Sequence, residues 1–160
     1  MKSSKSPSRR DVTLGLAALS GVPSRAAEPS SQHLNPTGLS TPRGYTHVVV
    51  ASGARTVYIS GQVPVNPRGE VVGKGDLKTQ TATVFENLRI ALAAAGATPK
   101  DVVKKNIYVV NLKPKDVPAV REIRNAFFGG IEPPASTLVG VTALAHPDYL
   151  IEIEAIAVVG

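Results

Sequence analysis

Two glutamates near the end of the chain are the first candidates for chemistry. Glu152 and Glu154 alternate with Ile151, Ile153 and Ala155. On a strand this alternation puts both carboxylates on one face. A glutamate held partly dry beside apolar neighbours has a raised pKa and can move protons. The competing reading is a solvated rim. A second segment, Glu132-Pro133-Pro134-Ala135-Ser136-Thr137, leads rigidly into a strand with two hydroxyls at its mouth, or is structural punctuation. His47 serves a serine as base only through a tertiary contact, and otherwise reads as a polar residue at a strand edge. Other motifs fail. Gly69, Gly73 and Gly75 lack the spacing of a dinucleotide fingerprint, and Gly73-Lys74-Gly75 lacks the hydroxyl residue of a phosphate loop. Tyr58-Ile59-Ser60-Gly61-Gln62 lacks the glycine two before the serine that a nucleophile elbow needs.

Composition narrows the chemistry further. The 160 residues contain no Cys, which excludes disulfides, thiolate metal sites and a cysteine nucleophile. Three histidines, at 33, 47 and 146, are too scattered for a local metal motif. No run of 18 apolar residues exists, so no membrane-spanning helix is expected. The net charge of +6 suggests nucleic acid until its location is considered. Residues 1–26 have the order of a signal peptide: Lys2, Lys5, Arg9 and Arg10, then an apolar run over 12–22, then Ser24 and Ala26 at the small positions of a cleavage site. Ser8-Arg9-Arg10-Asp11-Val12 resembles a twin-arginine export signal, which implies a periplasmic protein; a retained basic tail on a cytoplasmic protein is the alternative. The leader holds five of the 18 basic residues and one of the 12 acidic ones, leaving 13 against 11, a charge of +2. No nucleic-acid partner is expected at that charge.

The elements that must position these residues form one α+β domain over residues 45–160, after a Ser/Pro/Gly-rich flexible lead-in over 27–44. Residues 45–51 and 56–62 are β-branched, apolar runs separated by Ser52-Gly53-Ala54-Arg55, which predicts a hairpin. Asn66-Pro67-Arg68-Gly69 predicts a turn, and Glu70-Val71-Val72 a short strand. Asp76 is placed to cap a helix ending near Ala95, with the stripe Leu77, Val84, Phe85, Leu88, Ala91, Leu92 and Ala95, and Gly96 as its stop. Thr98-Pro99 starts one further helical turn. Strands are predicted over 102–110, 136–141 and 150–159, and a helix over 117–128 with Asp116 as cap and Gly129-Gly130 as stop. Two helices cover one sheet face only. Ile107 and Val109 would face one side, Tyr108 and Val110 the other, so an apolar second face predicts oligomerisation.

At these residues the chain resembles the Rid family, also called YjgF or L-PSP. The likeness is carried by Tyr58-Ile59-Ser60-Gly61-Gln62-Val63-Pro64, by Gln80 with Phe85-Glu86-Asn87-Leu88, by Val102-Val103-Lys104, by Pro134-Ala135-Ser136, and by residues 151–157. The resemblance implies a chorismate-mutase-like fold, a mixed and mostly antiparallel sheet with two helices on one face. It also implies a homotrimer with small-molecule clefts between subunits, and hydrolysis of reactive imines or enamines with no metal or organic cofactor. It assigns Glu152 to orienting water, Ser60 and Gly61 to the cleft-lining strand, and Tyr45 to the cleft. Ser136 and Thr137 fall at the substrate-binding strand. Imine deaminases of the family carry arginine where Ser136 stands, and that arginine grips the substrate carboxylate bidentately. A serine cannot replace a fork of five donors, so the departure argues against efficient 2-imino acid deamination. Arg121, where family members have asparagine, is a substitute cation or a surface helix residue. A ribonuclease activity, also attached to the family, finds no support in a charge of +2.

Two classes of function follow. One is an enzyme acting on an imine, an enamine or a related C–N compound through Glu152 and the Ser60/Gly61 backbone. The other is a non-catalytic trimer that holds a small ligand in the same cleft or acts as a chaperone.

Overall fold

The computed structural model describes residues 30–37, 46, 48–53 and 55–160. The expected leader, Tyr45 and His47 lie outside the described residues. Four strands form the main sheet: β3 (Arg55–Gln62), β4 (Val102–Val110), β5 (Ala135–Val141) and β6 (Ile151–Val159), in the order β3-β6-β4-β5. β6 pairs antiparallel with both β3 and β4, while β4 and β5 run parallel. A parallel pair needs a crossover, and helix α2 (Val117–Phe128) supplies it. The fold is α+β, with a mixed, mostly antiparallel sheet, as the resemblance implies.

The sheet has a dry face and an open one. Along β6, Ile151, Ile153, Ala155, Ala157 and Val159 are buried, while the residues between them are half-exposed. Ile59, Ile107 and Val109 join the dry face. Helix α1 (Leu77–Ala94) covers it with Val84, Phe85, Leu88 and Leu92, and Phe85 packs on Phe127 of α2 at a ring separation of 4.9 Å. Each such large side chain contributes about 1.5–3 kcal/mol of burial.

The helix ends follow local rules. Asp76 caps α1, accepting from the Lys78 and Thr79 N–H groups at 3.0 and 3.3 Å. Gly96 has φ +70°, and Ala97 N–H reaches the Leu92 carbonyl at 2.9 Å, the bond pattern of a left-handed helix stop. Gly129 ends α2 in the same left-handed region. Asp116 departs from expectation. Its carboxylate accepts from the Lys113 N–H at 2.9 Å, closing the 3-10 turn Pro114–Asp116, and makes no cap bond to α2. The second expected turn, Pro99–Asp101, is present, with Asp101 accepting from Thr98 N and Oγ1.

The pairing of the first strands also departs. β2 (Val48–Ser52) does not form a hairpin with β3. It pairs antiparallel with β1 (Ser30–Leu34), which lies inside the segment expected to be a flexible lead-in. Residues 70–72 form only an isolated bridge, Val65 with Val71. The open face is also less apolar than Tyr108 and Val110 suggested. Lys104, Asn106, Glu152 and Glu154 share it with exposed Tyr58 and Val139.

Gln80 fastens α1 to the approach to β6. It is fully buried, donates to the Asp148 carbonyl and accepts from the Leu150 N–H, both at 2.8 Å. Gln80→Met keeps the volume but orphans both backbone groups. The expected loss is about 2–4 kcal/mol of unfolding free energy, read by denaturant titration.

Candidate functional site

The open face carries a polar cluster built by cross-strand register. β4 presents Asn106 opposite Glu154, and Tyr108 opposite Glu152. Asn106 Nδ2 donates to Glu154 Oε1 at 2.6 Å, and the Tyr108 hydroxyl donates to the same oxygen at 2.8 Å. The Asn106 bond, then the Tyr108 bond, hold the Glu154 carboxyl below its ordinary pKa. The same hydrogen bond raises the Tyr108 phenol. Glu154 is therefore a fixed anion, unsuited to giving a proton near neutrality. Tyr108→Phe removes one of its two donors, so the Glu154 pKa rises towards the ordinary value, a change carboxyl-selective NMR titration reads directly.

Glu152 is the other kind of carboxylate. Among the described residues it accepts no hydrogen bond, and it lies directly against Gly61. A Cβ added at Gly61 would fall 1.8 Å from Glu152 Oε1 and 2.7 Å from its Cδ. Gly61 thus leaves the space that the carboxylate occupies. Ser60, next to it, is exposed on β3, and its carbonyl accepts from Gln62 Nε2 at 3.0 Å. Asn87 of α1 holds the chain beyond β3, donating to the Val63 and Val65 carbonyls at 2.9 and 3.0 Å. A hollow of about 300 Å³ lies over the cluster, lined by Tyr58, Ser60, Lys104, Asn106, Glu154 and Ile156 among others.

The fold brings Glu152, Ser60, Gly61 and Thr137 to the open face. Thr137 stands opposite Asn106, and its hydroxyl accepts from Lys104 Nζ at 2.7 Å. Ser136 stands opposite Lys105, which is buried on the helix side, so period-two alternation assigns Ser136 to that side. Arg121 is exposed on α2. Tyr45 lies outside the described residues; its neighbour Thr46 is buried, bridging to Ala135 and bonded to the Pro133 and Pro134 carbonyls. Neither Asn106 nor Tyr108 is among the site residues expected from sequence, where Tyr108 counts only as part of the second face, although the alternation Lys104, Asn106, Tyr108 opposite Ile107 and Val109 carries the signal. Among the described residues, no three His, Asp or Glu side chains converge on a metal position, and no helix is long and apolar enough to cross a membrane.

The chain is similar to several known proteins. A RutC family protein of Pyrococcus abyssi is 42% identical over 102 residues, 63% of this chain and 76% of that protein. A 2-iminobutanoate/2-iminopropanoate deaminase of Dermatophagoides farinae is 36% identical over 104 residues, 65% of this chain and 78% of that protein. The crystal structure of YyfB, a Rid-family protein of unknown function from Yersinia pestis, superposes with a TM-score of 0.77 at 44% identity, covering 81% of this chain and 98% of that one. The family described as Endoribonuclease L-PSP matches residues 37–159. A match over that span, with the sheet order and helices above, makes this chain a member of the L-PSP family, the Rid proteins.

Proposed function

We propose that the chain hydrolyses a reactive imine, enamine or related C–N compound, with Glu152 orienting the attacking water and the Ser60/Gly61 backbone lining the site. The observation that carries this reading is the division of labour between the two glutamates. Glu154 accepts from Asn106 and Tyr108, whereas the Glu152 carboxylate lies against Gly61 with no hydrogen-bond partner among the described residues. A carboxylate so placed aligns a water by hydrogen bonding and takes its proton as the C–O bond forms. The deaminase relative supports the reaction class.

The substrate is one without a carboxylate that needs a bidentate arginine, because position 136 is serine and belongs to the other side of the sheet. The same observation favours the second reading, a ligand-holding trimer without turnover. The reaction would occur in clefts where copies of the chain pack their open faces together, a homotrimer; exposed Tyr58 and Val139 supply apolar contact area for it. Residues 1–26 would direct export to the periplasm.

Ammonia release from freshly generated imines distinguishes the readings. Hydrolysis predicts a rate above the uncatalysed one that falls about 100-fold or more in Glu152→Ala. Equal rates in both proteins would sink the assignment. Fractionation and N-terminal sequencing test export, with a mature chain starting at Ala27 expected.

A further inference from the structure

Lys105 has an environment that the open-face site does not use. It is fully buried, and among the described residues its Nζ is a buried side-chain atom with no hydrogen-bond partner. The nitrogen lies 4.6 Å from the centroid of the Phe128 ring. Its charged neighbours are cations: Arg124 on α2 and Lys104 on β4, with Arg121 one helical turn before Arg124. Arg124 is 9% exposed, and its Nε and Nη2 both donate to the neutral Asn125 Oδ1, at 3.2 and 2.8 Å. Among the described residues, no carboxylate is ion-paired with Lys105, Arg124 or Arg121. Arg124 lies one helical turn before Phe128, the ring that Lys105 Nζ packs against, so a buried amine and a nearly buried guanidinium share one side of the sheet with no ion-paired anion among the described residues.

We propose that Lys105 is a carbamylation site, where carbon dioxide adds to Nζ and the resulting carbamate pairs with Arg124. The amine lone pair forms an N–C bond to the carbon of CO2 as one C=O π pair moves onto oxygen. One N–H proton then leaves to buffer, so –NH2 and CO2 give –NH–COO⁻ and H⁺ with no redox change. Three features favour this reaction. Burial, then the charges of Arg124 and Lys104, lowers the ammonium pKa to about 7, so the nucleophilic neutral form is populated. CO2 is small and uncharged, and crosses apolar packing during local opening; a hydrated anion would have to shed its shell to reach a closed site. The product also reverses the local charge problem, turning a cation among cations into an anion among cations. Among the described residues Arg124 has a neutral, exposed side-chain partner, Asn125, so pairing with a carbamate would break no ion pair.

The test compares full-length protein in CO2-free buffer with protein given carbon-13-labelled bicarbonate, at about one unit above the Lys105 pKa of about 7. The expected result is a protein-bound carbamate carbonyl resonance. Alkylative trapping and peptide mass spectrometry should assign it to Lys105, separately from the α-amino group. Arg124→Gln is expected to lower occupancy at fixed CO2 at least about tenfold, the loss of one charge-assisted bond. Glu152→Ala, on the other face, is expected to label like wild type. A Lys105 peptide without label overturns the proposal, whatever the variants do. Unchanged occupancy in Arg124→Gln overturns the pairing. Equal thermal stabilisation by acetate and bicarbonate, without label, would assign the pocket to diffusible carboxylates instead and overturn carbamylation.

Discussion

Replacing Lys105 with methionine is expected to stabilise the fold at neutral pH by about 1–4 kcal/mol in CO2-free buffer. A methionine fills the same channel against Phe128 without an unpaired donor. The sign of the pH dependence follows from linkage. The Lys105 pKa is about 7 folded, against 10.5 for the unfolded side chain. Between those values the unfolded chain binds the extra proton, so stability rises with pH, by about 1.4 kcal/mol per unit at most. Below about 7 both states are protonated and the full penalty of the buried charge is present. Above 10.5 both are neutral and it is gone. Denaturant titrations across this window should show rising stability in wild type and a flatter profile in Lys105→Met. Each kcal/mol gained moves the thermal midpoint by about 2–8 °C. A variant no more stable than wild type at neutral pH would show that the ammonium finds a partner in solution.

Gly61→Ala is expected to abolish most activity while leaving the fold intact. The glycine carries no positive φ, so alanine costs the backbone nothing. The three atoms nearest the added methyl all belong to the Glu152 side chain, whose flexible end can swing away. Stability should therefore change by less than about 1 kcal/mol. Activity should fall about 100-fold or more, close to the loss in Glu152→Ala, because the carboxylate no longer lies where water must be aligned. The two changes remove one function, so the double variant should lose little beyond either single one. Wild-type turnover in Gly61→Ala would show that the placement of Glu152 is irrelevant to the reaction.

What the chain discloses before folding depends on the range of the interaction. The stripe of α1, its Asp76 cap and its Gly96 stop were legible because each is settled within a few residues. The alternation of β6 likewise placed Glu152 and Glu154 on one face. The partner of β2 was not legible. The turn signal at Ser52-Gly53 favours the next strand, and pairing with Ser30–Leu34 is decided by tertiary competition. Asp116 has two amide targets within reach, and the tighter 3-10 turn takes it. Lys105 reads as a surface lysine by type, although its parity with Ile107 and Val109 marks it as interior. The side on which Ser136 falls depends on the parallel register of β4 with β5, set by strands about thirty residues apart.

The sheet order also has a consequence for synthesis. β6 lies between β3 and β4, yet it follows both in the chain. Until it leaves the ribosome, β3 and β4 each expose an unpaired edge, and α1 has no completed surface to cover. Folding of the sheet then waits for β6 and is dominated by long-range pairing, which is slow. A nascent chain stalled before residue 151 should stay sensitive to protease and available to holdase chaperones. Emergence of β6 would trigger closure in one cooperative step.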